Sequence, residues 1–143
     1  MKTTTLFFAI LLISCAGKKN GGDELTTLYN ESMKIHDEIM PRMSQIYRFK
    51  TKLLQRRDSL RRDSIRYRAR LISIDSSLAS LAVADDAMMD WMHHIKGPFK
   101  PGDGGNKEEQ RKVLAGQKED IEKVKKQMED AIQNAKSLLE RNQ

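Results

Sequence analysis

Residues 71–95, LISIDSSLASLAVADDAMMDWMHHI, decide the fold. Their apolar side chains recur at intervals of three and four, which places them on one face of an α-helix. The stripe also extends towards the N-terminus, and its members are Leu60, Tyr67, Leu71, Ile74, Leu78, Leu81, Met88, Trp91, Met92 and Ile95. A helix with one apolar face needs other apolar faces to cover it, so this stretch predicts a helical bundle.

Two further stripes at heptad spacing supply those faces. The first comprises Leu25, Tyr29, Met33, His36, Met40, Met43, Ile46 and Leu53. The last, in a helix from about Glu108 to Arg141, comprises Leu114, Ile121, Val124, Met128, Ala131, Ala135 and Leu138. Pro41 removes a backbone donor, which predicts a kink or break near residues 37–41. We expect an all-α, antiparallel three-helix bundle, coiled-coil-like, over residues 23–143.

The middle of the chain allows two arrangements. No glycine or proline occurs between Arg42 and Lys96, and one heptad phase runs through this segment without a slip. It therefore fits a single helix, about 80 Å long at 1.5 Å per residue. It also fits a hairpin that reverses near residues 56–62, where Asp58-Ser59 would cap the second helix. The hairpin is favoured because all three stripes then share one core. Residues 97–106 contain four glycines and two prolines and predict a loop before the last helix.

The N-terminus has the features of a secretion signal. Lys2 precedes an apolar run at residues 6–12, and Leu12-Ile13-Ser14-Cys15 follows. This ending resembles the lipobox of bacterial lipoproteins, which implies cleavage before Cys15 and acylation of that residue. We therefore expect a signal peptide at 1–14 and a lipidated cysteine with a flexible tether at 15–22. Ala16 after the cysteine favours the outer membrane, and we expect the periplasmic face. Cys15 is the single cysteine, so its acylation excludes disulfides.

Two short segments carry a family resemblance. They are His36-Asp37-Glu38-Ile39-Met40-Pro41-Arg42-Met43 and Ala87-Met88-Met89-Asp90-Trp91-Met92-His93-His94. In this order they resemble a family of small lipoproteins from Bacteroidetes, whose members are often labelled viral A-type inclusion proteins. The resemblance extends loosely over residues 24–140. It implies an envelope location and a helical fold, and it implies no activity.

The same two segments contain most of the methionines and histidines that follow Cys15. Thioether and imidazole groups suit Cu(I), so the segments are a candidate copper site. The proposed ligands are His36, Met40, Met89, Met92 and His93. The other interpretation is packing, because Met88, Trp91, Met92 and Ile95 follow the spacing of a core stripe and methionine fills irregular gaps in cores. In that interpretation the protein has no cofactor.

A basic segment at residues 48–70 is the other candidate site. It contains ten lysines and arginines against two aspartates, a surplus of eight positive charges. Arginine at this density attracts phosphates and carboxylates. The candidate polyanion-binding residues are Arg56, Arg57, Arg61, Arg62, Arg66 and Arg68. Lipopolysaccharide phosphates, acidic lipid head groups and acidic proteins are suitable partners, whereas nucleic acid is not expected in the envelope.

No recognised enzyme motif accompanies these segments. The sequence has no Gly-rich phosphate loop, no His-Glu-x-x-His pair and no Gly-x-Ser-x-Gly elbow. We therefore expect a non-enzymatic envelope protein with an interaction or structural role, or alternatively a periplasmic copper-binding protein. A long exposed apolar stripe would also favour a homo-oligomer.

Overall fold

The computed structural model describes residues 21–95 and 105–141, and every regular element in these ranges is helical. Helices α1 (Gly21–Ile39) and α2 (Met43–Leu60) are joined by a 3₁₀ turn at Met40–Arg42. A second 3₁₀ turn at Arg61–Asp63 leads into α3 (Arg68–Ile95), and α4 (Lys107–Glu140) completes the described chain. The expected all-α three-helix bundle is confirmed, with α1 and α2 acting together as its first arm. Helix α1 begins two residues earlier than expected.

The first arm and α3 form a hairpin. Lys50 lies 3.2 Å from Asp85, and Arg57 lies 3.3 Å from Asp75. The partner number falls as the first number rises, so the two segments run antiparallel. Residues 43–95 therefore form two helices and not one.

The reversal occurs later than the sequence suggested. Helix α2 continues past the expected cap to Leu60, and the chain turns over residues 61–67. The hydroxyl of Ser59 donates to the carbonyl of Arg56, 2.7 Å away, instead of capping a new helix. Asp63 stabilises the turn, because its Oδ1 accepts a hydrogen bond from the backbone N–H of Arg66 at 3.2 Å. The predicted cap at Asp58-Ser59 was wrong, and an aspartate five residues further along takes a comparable role.

Pro41 interrupts the first arm as predicted. The proline lies in the 3₁₀ turn, where its missing N–H ends the α-helical ladder of α1. The hydroxyl of Ser44 donates to the carbonyl of Pro41 at 2.8 Å, which satisfies one backbone acceptor at this break. The arm therefore passes from α1 to α2 through a 3₁₀ turn without reversing.

A seam of ion pairs joins the first arm to α4. Their N–O distances are 2.7, 2.6 and 3.2 Å, and the partners in each pair are 87 positions apart. A constant separation means that α1 and α4 run parallel in one register. The pairs of this seam are Glu31–Lys118, Glu38–Lys125 and Arg42–Glu129.

The core repeats every seven residues. Its fully buried members include Ile39, Ile46 and Leu53 on the first arm, Ile74, Leu81 and Met88 on α3, and Leu114, Ile121, Met128 and Ala135 on α4. Ser32 occupies an equivalent core position on α1, where its hydroxyl donates to the carbonyl of Leu28 at 2.9 Å. The first stripe was therefore slightly misplaced: Met33, His36, Met40 and Met43 lie half-buried at its edges.

The last helix begins one residue before the expected position, at Lys107. The side chain of Asn106 caps it by accepting a hydrogen bond from the N–H of Glu108 at 3.0 Å. Most of the predicted loop at 97–106 lies outside the described residues. Among the helices described over 21–95 and 105–141, none is both long and apolar enough to cross a bilayer.

Replacing a core leucine should test the packing. Leu81 is fully buried, so Leu81→Ala should lower the free energy of unfolding by about 2–5 kcal/mol. Val83, two residues away on the same helix, is 55% exposed. Val83→Ala should therefore change the free energy of unfolding by less than about 0.5 kcal/mol. Urea unfolding followed by circular dichroism measures both. Equal effects would contradict the assigned core face.

The seam should make stability depend on pH. The hydrogen bond and charge of Lys125 hold the pKa of Glu38 below its ordinary value of 4.5. A depressed folded-state pKa stabilises the fold above the ordinary value, and that contribution is lost as pH falls through the folded-state pKa. Glu38→Gln should therefore lower the melting temperature at neutral pH, and the difference from the parent should shrink at about pH 3. Asp86→Asn, which alters an exposed carboxylate outside the seam, is the matched control.

Candidate functional site

The apex of the hairpin, residues 61–70, concentrates the positive charge. It contains five arginines and one aspartate. All five arginines are exposed, and none forms an ion pair with any residue in the described part of the chain. The one carboxylate, Asp63, already accepts a backbone hydrogen bond within the turn. The apex therefore presents positive charge that the fold itself leaves uncompensated.

Tyr67 forms cation–π contacts with two of the apex arginines. The guanidinium carbons of Arg66 and Arg70 lie 5.5 and 5.7 Å from the centre of its ring. Cation–π contacts at these distances are attractive and leave the N–H edges of a guanidinium available for other partners. One aromatic ring therefore contacts and orients two of the five arginines.

Ile65 is the most exposed large apolar side chain in the described chain, with 92% of its surface accessible. It lies between arginines in sequence, in the turn between α2 and α3. The apex therefore combines an unprotected apolar group with surrounding positive charge.

The six arginines that were predicted to bind polyanions occupy three different environments in the structure. Arg61, Arg62, Arg66 and Arg68 belong to the apex. Arg57 instead binds Asp75 on α3, so its charge is largely satisfied within the hairpin. Arg56 is half-buried and faces a groove between α2 and α4. The predicted set is therefore divided among an apex, an intramolecular ion pair and a groove.

The α2–α4 groove is a feature that sequence reasoning missed. Its volume is about 830 Å³, and its apolar lining residues are Phe49 on α2 with Ile132 and Leu139 on α4. The charged residues that line it are Arg48, Lys52, Arg56, Lys136 and Glu140. A signal was present, because Ile132 and Leu139 are apolar residues seven positions apart that lie outside the stripe assigned to α4.

The two methionine- and histidine-rich segments are neighbours in the structure. The rings of His36 and Trp91 stack with centroids 5.6 Å apart and an interplanar angle of 22°. Both rings already have polar partners. His36 Nδ1 donates to Asp37 at 2.9 Å, and Trp91 Nε1 donates to the carbonyl of Gln117 at 2.8 Å. These contacts join the first arm, α3 and α4 at the end of the bundle remote from the apex.

The proposed copper ligands occupy different surroundings. Met40 and Met92 pack against the core, whereas Met89 and His93 are exposed. Within the described ranges, no group of three or more histidine, cysteine, aspartate or glutamate side chains is placed to hold a metal ion. Packing accounts for Met40 and Met92. Copper binding stays a prediction from sequence, and no contact of these residues adds to it.

The proposed lipidation site, Cys15, lies outside the described residues, as do the signal peptide and most of the tether. Comparisons of the chain with protein-family models, with curated proteins and with solved structures found no match. The apex and the groove are therefore interpreted from their own chemistry.

Proposed function

We propose that this protein is a non-catalytic lipoprotein of the outer membrane that binds a phosphate-bearing lipid surface through the apex of its bundle. The anchor is Cys15, on the periplasmic face, and the family is that of the small Bacteroidetes lipoproteins. The observation that carries the proposal is the cluster of five exposed, unpaired arginines at residues 61–70.

The folded state leaves the positive charge of the apex without a counter-charge among the described residues. Like charges crowded into one turn repel each other, and the described part of the chain provides them with no carboxylate partner. A polyanion relieves that repulsion when it binds. Guanidinium groups are well suited to phosphate, because their parallel N–H groups can contact two oxygens at once.

Ile65 favours a lipid surface over a soluble acidic partner. Polar head groups offer phosphates to the arginines, while the boundary beneath them accepts an apolar side chain. A purely ionic partner would leave Ile65 in water. A single exposed apolar side chain is common on protein surfaces. Ile65 supports a lipid surface because it lies among arginines.

The fold also separates the apex from the proposed anchor. Residues 21–60 are forty residues of nearly continuous helix, which span about 60 Å. The N-terminal end of α1 and the apex therefore lie at opposite ends of the first arm. Such a protein can hold one surface through Cys15 and contact another through the apex.

The anchor is tested by metabolic labelling. Cells expressing the full chain and supplied with a clickable palmitate analogue should incorporate the label into the parent protein. Cys15→Ser should not be labelled, because the acylated sulfur is missing. Equal labelling of the two proteins would contradict the assigned anchor.

The apex is tested with the full chain incorporated into phosphatidylcholine nanodiscs. Fluorescent vesicles containing phosphatidylglycerol should bind to it, and binding should weaken steeply between 0.1 M and 1 M salt, where the screening length falls from about 10 to about 3 Å. Arg61→Glu combined with Arg62→Glu should reduce binding at least about tenfold. Neutral vesicles should not bind.

Two controls separate a lipid surface from other polyanions. Ile65→Ser should weaken vesicle binding while leaving the binding of soluble polyphosphate unchanged, because only a bilayer accepts the apolar side chain. Ile72→Ser, which alters an exposed isoleucine outside the apex, should have little effect on either. Vesicle binding that survives both high salt and the double glutamate variant would refute the role of the apex.

A further inference from the structure

We infer that the α2–α4 groove, on the side of the bundle opposite α3, is a docking site for an acidic amphipathic helix of a partner protein. The inference concerns different side chains from the apex and does not depend on what the apex binds. It rests on a mismatch in the seam between the first arm and α4.

On the N-terminal side of Pro41, residues of opposite charge face each other across the seam. Acidic residues on α1 face lysines on α4, at a constant separation of 87 positions. Lys118 and Lys125 occupy equivalent places one heptad apart. The next two places in that series are Ile132 and Leu139. The row on α4 therefore changes from charged to apolar where the arm passes from α1 to α2.

Helix α2 does not complement this change. At the same separation, the residues that correspond to Ile132 and Leu139 are Gln45 and Lys52. A polar and a charged side chain therefore face two apolar ones. Phe49 covers part of the gap, but Arg56, one heptad beyond Phe49, is charged where an apolar residue would close the interface. The two helices leave a groove whose apolar floor consists of Ile132, which is only 9% exposed, and the half-buried Phe49 and Leu139.

The cations along the groove lie in a row. Arg48, Lys52 and Arg56 are spaced four residues apart on α2, so they follow one another at steps of about 6 Å. None of the three forms an ion pair with another described residue. On the α4 side, Lys136 has only a long contact of 3.9 Å with Glu140.

This arrangement selects one kind of occupant. A helix with carboxylates at positions i, i+4 and i+8 repeats its charge at the same 6 Å step and can pair with all three cations. Its apolar residues would cover Phe49, Ile132 and Leu139, as helices do in other hydrophobic grooves. A lipid with one phosphate would satisfy a single point of the row. The bound helix would pack as a fourth member of the bundle.

The test uses the full chain in phosphatidylcholine nanodiscs and a fluorescein-labelled helical peptide of about 18 residues. The peptide has leucines on one face and glutamates at i, i+4 and i+8 beside them. It should bind the parent saturably and should bind at least about tenfold more weakly to the variant with Arg48→Glu and Lys52→Glu. A peptide with lysines in place of the glutamates should bind that variant better than it binds the parent.

Two matched variants distinguish this site from the apex and from general charge. Arg61→Glu with Arg62→Glu removes the same amount of positive charge outside the groove and should leave peptide binding unchanged. Leu139→Ser should weaken binding of both peptides, because it removes the shared apolar contact. The unfolding midpoint of each variant shows whether it remains folded.

Four results would overturn the inference. The first is that the glutamate peptide does not bind the parent, and the second is that Arg61→Glu with Arg62→Glu weakens peptide binding as much as the groove substitutions do. The third is that lysophosphatidylglycerol binds in place of the peptide. The fourth is self-association of the parent that Arg48→Glu with Lys52→Glu abolishes and that the peptide does not inhibit. The third would make the groove a lipid site, and the fourth would make its occupant a second copy of this chain.

Discussion

The seam between α1 and α4 is the constraint on which the rest of the bundle depends. Its ion pairs, spaced by one heptad, follow the same register as the buried apolar residues that fill the core beside them. Pro41 ends the α-helical ladder of α1, and the arm continues beyond the 3₁₀ turn as α2. Helix α4 continues without interruption through the same region. The groove opens where the residues that face each other across the first arm and α4 stop being complementary.

Helix α3 determines how much of the basic segment remains available. Asp75 and Asp85 on this helix take up Arg57 and Lys50 across the hairpin. Those pairs neutralise the side of α2 that faces α3. Within residues 21–95 and 105–141, the groove side and the apex receive no such partners, so the surplus charge of residues 48–70 is concentrated there. A single stretch of sequence therefore yields a structural ion-pair face and two separate surfaces of positive charge.

Much of the fold could be predicted from sequence because the core repeats every seven residues in each helix. That regularity identified Ile46, Leu81 and Ile121 without knowledge of their neighbours. It could not place the reversal, because the heptad phase continues through it, and the capping role of Asp63 depends on the turn that it stabilises. The basic segment was also visible from composition. Its division into an apex, an ion pair and a groove was not, since that division depends on which helix each arginine faces.

The groove was missed for a related physical reason. Ile132 and Leu139 are unremarkable as single apolar residues, and their meaning appears only when the separation of 87 positions between the arm and α4 is known. The chain departs from its own rule at these places: a lysine series becomes apolar on one helix while the facing helix becomes basic. Locally consistent choices would have put an apolar residue at position 56 and closed the interface. Departures of this kind forgo stability, and in natural proteins they concentrate at functional or strained sites.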